Sequence, residues 1–366
     1  MAKNKAEELV EKINNSIFFK EFTFSNTEIK INGNPAVEIA DNIVWIDDIV
    51  LFYQIKWKNN TTAHEGLTNS KNWFNNKVIG KGKRQIKETI KYIKDYPDLV
   101  IQNDKGFSAN LSDINTALAK SIIIYYPDEN FPEELRFRKF YRSSEVGLIN
   151  LFHIEDYLWI CRYFVTPAEI YDYLRFRGQL FDGFGQSVDK IPEQLVFSYY
   201  ISGEEITEIS FHQIKYLEKY NEDVGSFDLS NIIRNFFDKI ITQKDSSYLM
   251  ILKELAKLNR FELKEVKSRL TLSIERIKSE SYSLPYRVAF PRTSSGFVFI
   301  PLNSTDSKYW QNALHNFTLA HKYDQKLQKC IGVVLNMGNS ILHFLSPRVS
   351  CKGLAGLLQS EGNVLS

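Results

Sequence analysis

The sequence predicts an α/β chain in three parts. Residues 1–130 form a domain in the order helix, strand, strand, strand, helix, strand. Residues 131–280 are mainly helical, and residues 281–366 form a small α+β domain. Three observations predict this. The stretch AVEIADNIVWIDDIVLFYQIKW, Ala36 to Trp57, reads as two apolar strands around a tight turn, rich in β-branched and aromatic residues. Helical periodicity flanks it on both sides. Beyond residue 280, short β-branched runs bracket a single helical stretch.

Lys3 to Asn15 carries an apolar stripe at Ala6, Leu9, Val10 and Ile13, the spacing of an amphipathic helix, with Glu7, Glu8 and Glu11 around it. A first strand is expected near Glu28 to Ile31, then a turn at Asn32-Gly33-Asn34-Pro35. The two strands of the central hairpin are apolar on both faces, as in a sheet covered by helices. A polar loop, KNNTTAHEGLTNSKNW, leads to a helix over Lys81 to Tyr96 with a stripe at Ile86, Ile90 and Ile93. Ser121 to Pro127 is strand-like. Further on come a strand at Gly147 to Phe152 and helices at Glu155 to Phe164 and Pro167 to Arg177, the second opened by Thr166-Pro167. Gly178 to Pro192 reads as a linker, and Gln194 to Glu280 is mostly helical in period. The last part reads as strands at Arg287 to Phe290 and Gly296 to Leu302, a helix over Ser307 to Tyr323, and strands at Cys330 to Leu335 and Ser340 to Leu345.

Composition narrows the class. Of 366 residues, 43% are hydrophobic and 25% charged, as in ordinary globular proteins. With 46 basic and 44 acidic residues the net charge is +2, so any basic surface must be local. Cys161, Cys330 and Cys351 are far apart, which suggests structural thiols in a reducing, cytoplasmic setting. No apolar run approaches the roughly 20 residues of a membrane span. The charged N-terminus has no signal-peptide apolar core. The six histidines are scattered, and we find no Ser/His/Asp set, phosphate-binding glycine loop or zinc spacing.

The hairpin carries the chemistry. If Asp47 and Asp48 form a two-residue loop, Ile46 lies opposite Ile49 and Asp41 opposite Gln54. Gln54 and Lys56 share a face, and opposed residues share a face with Cβ atoms roughly 5 Å apart. Asp41, Gln54 and Lys56 then converge on one patch. A carboxylate, an amide oxygen and an ammonium there could hold a divalent cation beside a phosphate. A three-residue loop would change the parity and scatter them.

An Asp on one central strand followed by Gln54-Ile55-Lys56 on the next resembles the PD-(D/E)XK nuclease superfamily, in the Q-x-K form of its Mrr-like restriction endonuclease group. The resemblance covers about the first third of the chain, and the order of elements agrees with that family's α-β-β-β-α-β core. It implies a restriction-endonuclease-like fold and a metal-dependent nuclease acting on nucleic acid, DNA above all, in restriction or phage defence. Asp41, Gln54 and the Ile55 carbonyl would ligate Mg²⁺ or Mn²⁺, and Lys56 would position or activate the attacking water. Additional residues would be Glu8 or Glu11 from the first helix and Gln85 from the helix after the core. Gln54 departs from the usual acid, so a second carboxylate is needed. Glu38 faces away from Asp41 by strict alternation and would join it only through a bulge.

Lys81, Lys83, Arg84 and Lys87 could grip phosphates beside the hairpin, or form a solvated helix face. RFRKFYR, Arg136 to Arg142, could contact nucleic acid, or be a strand with alternating core aromatics. Two alternatives to hydrolysis stand. The nuclease fold could be inactive and serve as a nucleic-acid-binding or assembly module, or the chain could be a helical scaffold. Expected partners are nucleic acid and either a second copy or a defence-system protein.

Overall fold

A computed structural model describes residues 5–17, 20–25, 28–29, 37–58, 67–103, 107–129, 131–218, 220, 247–281, 283–336 and 339–345. The expected turn at Asn32 to Pro35, His64 and Cys351 lie outside them, as do the side chains of Val37 and Glu38. The chain is mixed α/β and divides into two compact units, Met1–Asn221 and Glu222–Ser366.

The first unit is built on a six-stranded mixed sheet. It opens with helix α1 (Lys5–Ile17) and strand β1 (Thr23–Ser25). A separate two-stranded pair, β2 (Glu28–Ile29) and β3 (Val37–Glu38), precedes the central hairpin of β4 (Asn42–Ile46) and β5 (Ile49–Trp57). One helical run follows: α2 (Leu67–Trp73), a π-helical segment (Phe74–Lys81) and α3 (Gly82–Asp95). A small pair, β6 (Val100–Gln102) and β7 (Ser108–Asn110), leads to β8 (Lys120–Tyr126). Then come α4 (Glu133–Arg136), β9 (Phe140–Ser143), β10 (Gly147–His153), α5 (Ile154–Ile160), α6 (Pro167–Phe184) and α7 (Glu193–Ser202). The sheet order is β1-β4-β5-β8-β10-β9. β5 and β10 both run parallel to β8, and the outer pairs are antiparallel.

Nearly every residue of β5 is buried because both faces are covered, which is why it reads as a continuous apolar run. One face, through Phe52 and Ile43, packs toward Ile93 of α3. On the other, Tyr157 of α5 bonds both Tyr53 of β5 and Asn14 of α1. α3 comes close to β8 at Gly82, where a Cβ would stand 2.5 Å from Ile123 Cδ1.

Four expectations about this unit need correction. The strand beside β4 is Thr23–Ser25, and among the described residues the segment near Glu28 pairs with β3. The polar stretch before Lys81 is partly helical, from Leu67 onward. Residue 130 is no boundary, since β10 is hydrogen-bonded along β8 and extends the same sheet. Gly178 to Pro192 is no linker: α6 continues to Phe184 and a 3₁₀ turn, Gly185–Lys190, follows.

The second unit holds α8 (Ser247–Ala256), α9 (Arg260–Lys278) and a four-stranded sheet: β11 (Tyr286–Phe290), β12 (Ser295–Pro301), β13 (Lys329–Asn336) and β14 (Asn339–Leu345). Helix α10 (Trp310–Asp324) connects β12 to its parallel neighbour β13. The close seat of α10 requires Gly332, where a Cβ would meet Thr318 Oγ1 at 2.1 Å. Strands and a helix fall where the sequence places them beyond residue 280, but residue 280 is no boundary: α9, expected in the helical region, packs against this sheet.

Candidate active site

The pairing of β4 with β5 follows the register derived by counting: Ile46 opposes Ile49, and Asn42 opposes Tyr53. Asp47 takes a positive φ of 50° in the two-residue turn, a conformation Asp tolerates better than most residues. One step beyond the last pair, Asp41 reaches back across the hairpin. Its Oδ2 accepts the Ile55 N–H at 2.5 Å and lies 3.5 Å from Lys56 Nζ. Lys56 Nζ also donates to Gln54 Oε1 and to the Ile55 carbonyl, both at 3.0 Å. Three oxygens of different kinds therefore surround one cation.

Gln54 is 2% exposed and Lys56 8%. Burial pushes the Lys56 amine below its ordinary value, Asp41 acts in the opposite direction, and Lys81 adds to the lowering. Helix α3 fixes the segment that carries Asp41: Thr89 donates its hydroxyl proton to the Ile39 carbonyl.

Of the other residues singled out, Glu8 is exposed and Glu11 half-buried on α1. Glu7 is the α1 carboxylate whose charge acts on Lys56. Sequence reasoning offers Glu8 or Glu11 for this place and passes over Glu7, which it sets only among the glutamates around the apolar stripe. Gln85 is half-buried on α3, and its Oε1 is buried with no hydrogen-bond partner. The side chain of Glu38 is outside the described residues. Lys83 and Lys87 both pair with Glu145, and Arg84 pairs with Glu88. Lys81 is exposed.

Sequence reasoning passed over Lys58. It shares the face of Gln54 and Lys56 and is equally buried. Its Nζ lies 2.6 Å from Asp128 Oδ2 and 3.1 Å from Ser70 Oγ, tying α2 to the ends of β5 and β8. The alternation Gln54-x-Lys56-x-Lys58 was the available signal.

The cations of RFRKFYR have partners within the first unit. Arg136 pairs with Asp156, Arg138 with Asp189, and Arg142 with Asp182. Lys139 is buried against the Phe137 and Ile191 carbonyls. Among the histidines, His321 Nε2 meets the Val288 carbonyl at 3.1 Å, inside the second unit.

Among the described residues there is no group of three or more His, Cys, Asp or Glu side chains that could hold a metal. The oxygens around Lys56 make a different donor set: one carboxylate, one amide and one backbone carbonyl. All are hard oxygens, the kind Mg²⁺ takes while retaining several waters. No helix among the described residues is long and apolar enough to cross a membrane. Compared with protein-family models, with curated proteins and with solved structures, the chain matches none.

Proposed function

We propose that the first unit is a restriction-endonuclease-like domain that hydrolyses phosphodiester bonds of nucleic acid, with DNA the first substrate to test. The observation that carries this reading is the gathering of Asp41 Oδ2, Gln54 Oε1 and the Ile55 carbonyl within 3.5 Å of Lys56 Nζ. The order of α1, three antiparallel strands, a helix and a parallel strand supports it.

In this reading Asp41, Gln54 and the Ile55 carbonyl hold Mg²⁺ or Mn²⁺. The bound ion would polarise the phosphoryl oxygen and acidify a water. Asp41 supplies the formal charge of the set, and Glu7 adds negative potential nearby. Lys56 provides a cation where negative charge grows at phosphorus. Its lowered pKa brings proton exchange with the attacking water closer to neutral pH. The setting inferred from the resemblance is a cytoplasmic defence system.

The test is digestion of plasmid DNA with Mg²⁺ by the full chain, comparing wild type with Lys56→Ala. Wild-type cutting that disappears in the variant supports hydrolysis; no cutting, or equal cutting, removes it. A second reading, a fold kept for binding alone, is favoured by one observation: Gln54 stands where a second carboxylate would be. Binding without cleavage at any divalent ion would select it.

A further inference from the structure

We propose that Lys77 and Lys81 form the phosphate-gripping edge of this site, holding backbone phosphates of the nucleic-acid strand whose scissile bond lies at Lys56, while Lys83, Arg84 and Lys87 take no part. The proposal rests on the nucleic-acid reading above and deepens it.

From Phe74 to Ile86 the helical run buries every fourth residue: Phe74, Val78, Gly82 and Ile86. In a regular α-helix four residues overshoot one turn by about 40°, so the stripe would drift around the helix. A π-helix has more residues per turn and offsets that drift. The Gly82 N–H still donates to the Lys77 carbonyl, five residues back. At Gly82 the backbone then lies on Ile123, which stands beside Gln54 in the β5–β8 register.

The buried stripe sorts the lysines onto two flanks. Lys83 and Lys87 each follow a buried position by one residue, and both reach Glu145, between β9 and β10. Lys77 and Lys81 each precede a buried position by one residue, on the other flank. Both are exposed, and neither has a carboxylate partner among the described residues. Lys81 is near enough to Lys56 for its charge to act there.

Exposed cations without a carboxylate partner among the described residues, beside a buried lysine, call for an anion. A phosphodiester supplies it, since lysine binds phosphate as a mobile point charge. Helical neighbours four apart have Cβ atoms about 5–6 Å from one another, so each ammonium can serve its own phosphate.

The test reads binding, not cleavage. Fluorescein-labelled DNA and RNA duplexes of one sequence are titrated with the full chain in EDTA over a range of NaCl. Lys77→Gln and Lys81→Gln should each weaken binding about five- to tenfold near 0.1 M salt and flatten the salt slope by about 0.9 on DNA. Lys87→Gln should change neither, and Lys81→Arg should restore wild-type binding. The two duplex arms show which nucleic acid the edge prefers. Wild type binding neither duplex overturns the proposal. So does a Lys77/Lys81 double variant that keeps its slope, or an equal loss in Lys87→Gln. Lysine-dependent binding without Mg²⁺-dependent cleavage would sink only the hydrolytic reading.

Discussion

The Asp41 carboxylate accepts the Ile55 N–H from the strand opposite, at 2.5 Å. One oxygen thus serves two ends: it clamps the hairpin and stands beside Lys56. Asp41→Asn retains an amide oxygen for the Ile55 N–H but removes the charge. Cleavage should fall by about a hundredfold or more, the scale seen when a key electrostatic group is lost, while the thermal midpoint stays within a few degrees. Initial rates on plasmid DNA and a melt by circular dichroism check the two halves. Asp41→Ala should lower both, because it also leaves the Ile55 N–H without its acceptor.

Gly82 sets how closely α3 lies on β8, and through it where Lys81 stands. Gly82→Ala forces a methyl into Ile123, which is fully buried. Overpacking of this kind costs about 1–3 kcal/mol. Ile123→Val removes the Cδ1 in the way and alone should cost about 0.5–1.5 kcal/mol. The double variant should be more stable than the sum of the two losses implies. Urea unfolding of the four proteins measures that coupling, and simple additivity would show that the helix is not seated on Ile123.

Arg177 is fully buried, with Nε 2.9 Å from Glu193 Oε1 and its guanidinium 3.8 Å from the Phe152 ring. Its Nη2 donates to Glu193 Oε2 and the Leu151 carbonyl and its Nη1 to Asn150 Oδ1, so one side chain joins α6, α7 and β10. Glu193→Gln strands that cation in the core and should cost about 3–5 kcal/mol. Denaturant midpoints of wild type and variant decide it. A loss below 1 kcal/mol would mean that water reaches the guanidinium.

What the sequence disclosed tracks how local the physics is. The register of β4 on β5 could be counted because side chains alternate with a period of two and the Asp47-Asp48 turn fixes the parity. Asp41, Gln54 and Lys56 came with it. The pairing partners of RFRKFYR could not be counted: Arg136, Arg138 and Arg142 find their acids 20, 51 and 40 positions away. The π-helical segment was hidden for another reason. Leu67–Trp73 is too polar to show a helical stripe, and spacing by fours is shared by α-helices and strands, so it does not single out a π-helix. Glu7 became distinct from Glu8 and Glu11 only once the fold of α1 brought its charge near enough to act on Lys56.

Lys139 offers a test of the same core through pH. It is buried among the Phe137 and Ile191 carbonyls, with Glu193 Oε2 3.9 Å away. Burial lowers its pKa from 10.5 to about 8, although Glu193 pulls the other way. Below about pH 8 the folded and unfolded chains both carry the proton, and folding bears the whole cost of burying the charge. Between about 8 and 10.5 the folded chain has released the proton and the unfolded chain has not. The unfolded state then binds more protons, so this group's contribution to stability rises with pH. The gap between 10.5 and about 8 corresponds to on the order of 3 kcal/mol. Other groups titrate in the same range, so the comparison is with Lys139→Met. Its stability, from urea unfolding at pH 7.5, 8.5 and 9.5, should climb less steeply than that of wild type. Parallel curves would mean that Lys139 keeps its proton in the core throughout, held there by Glu193 more firmly than burial expels it.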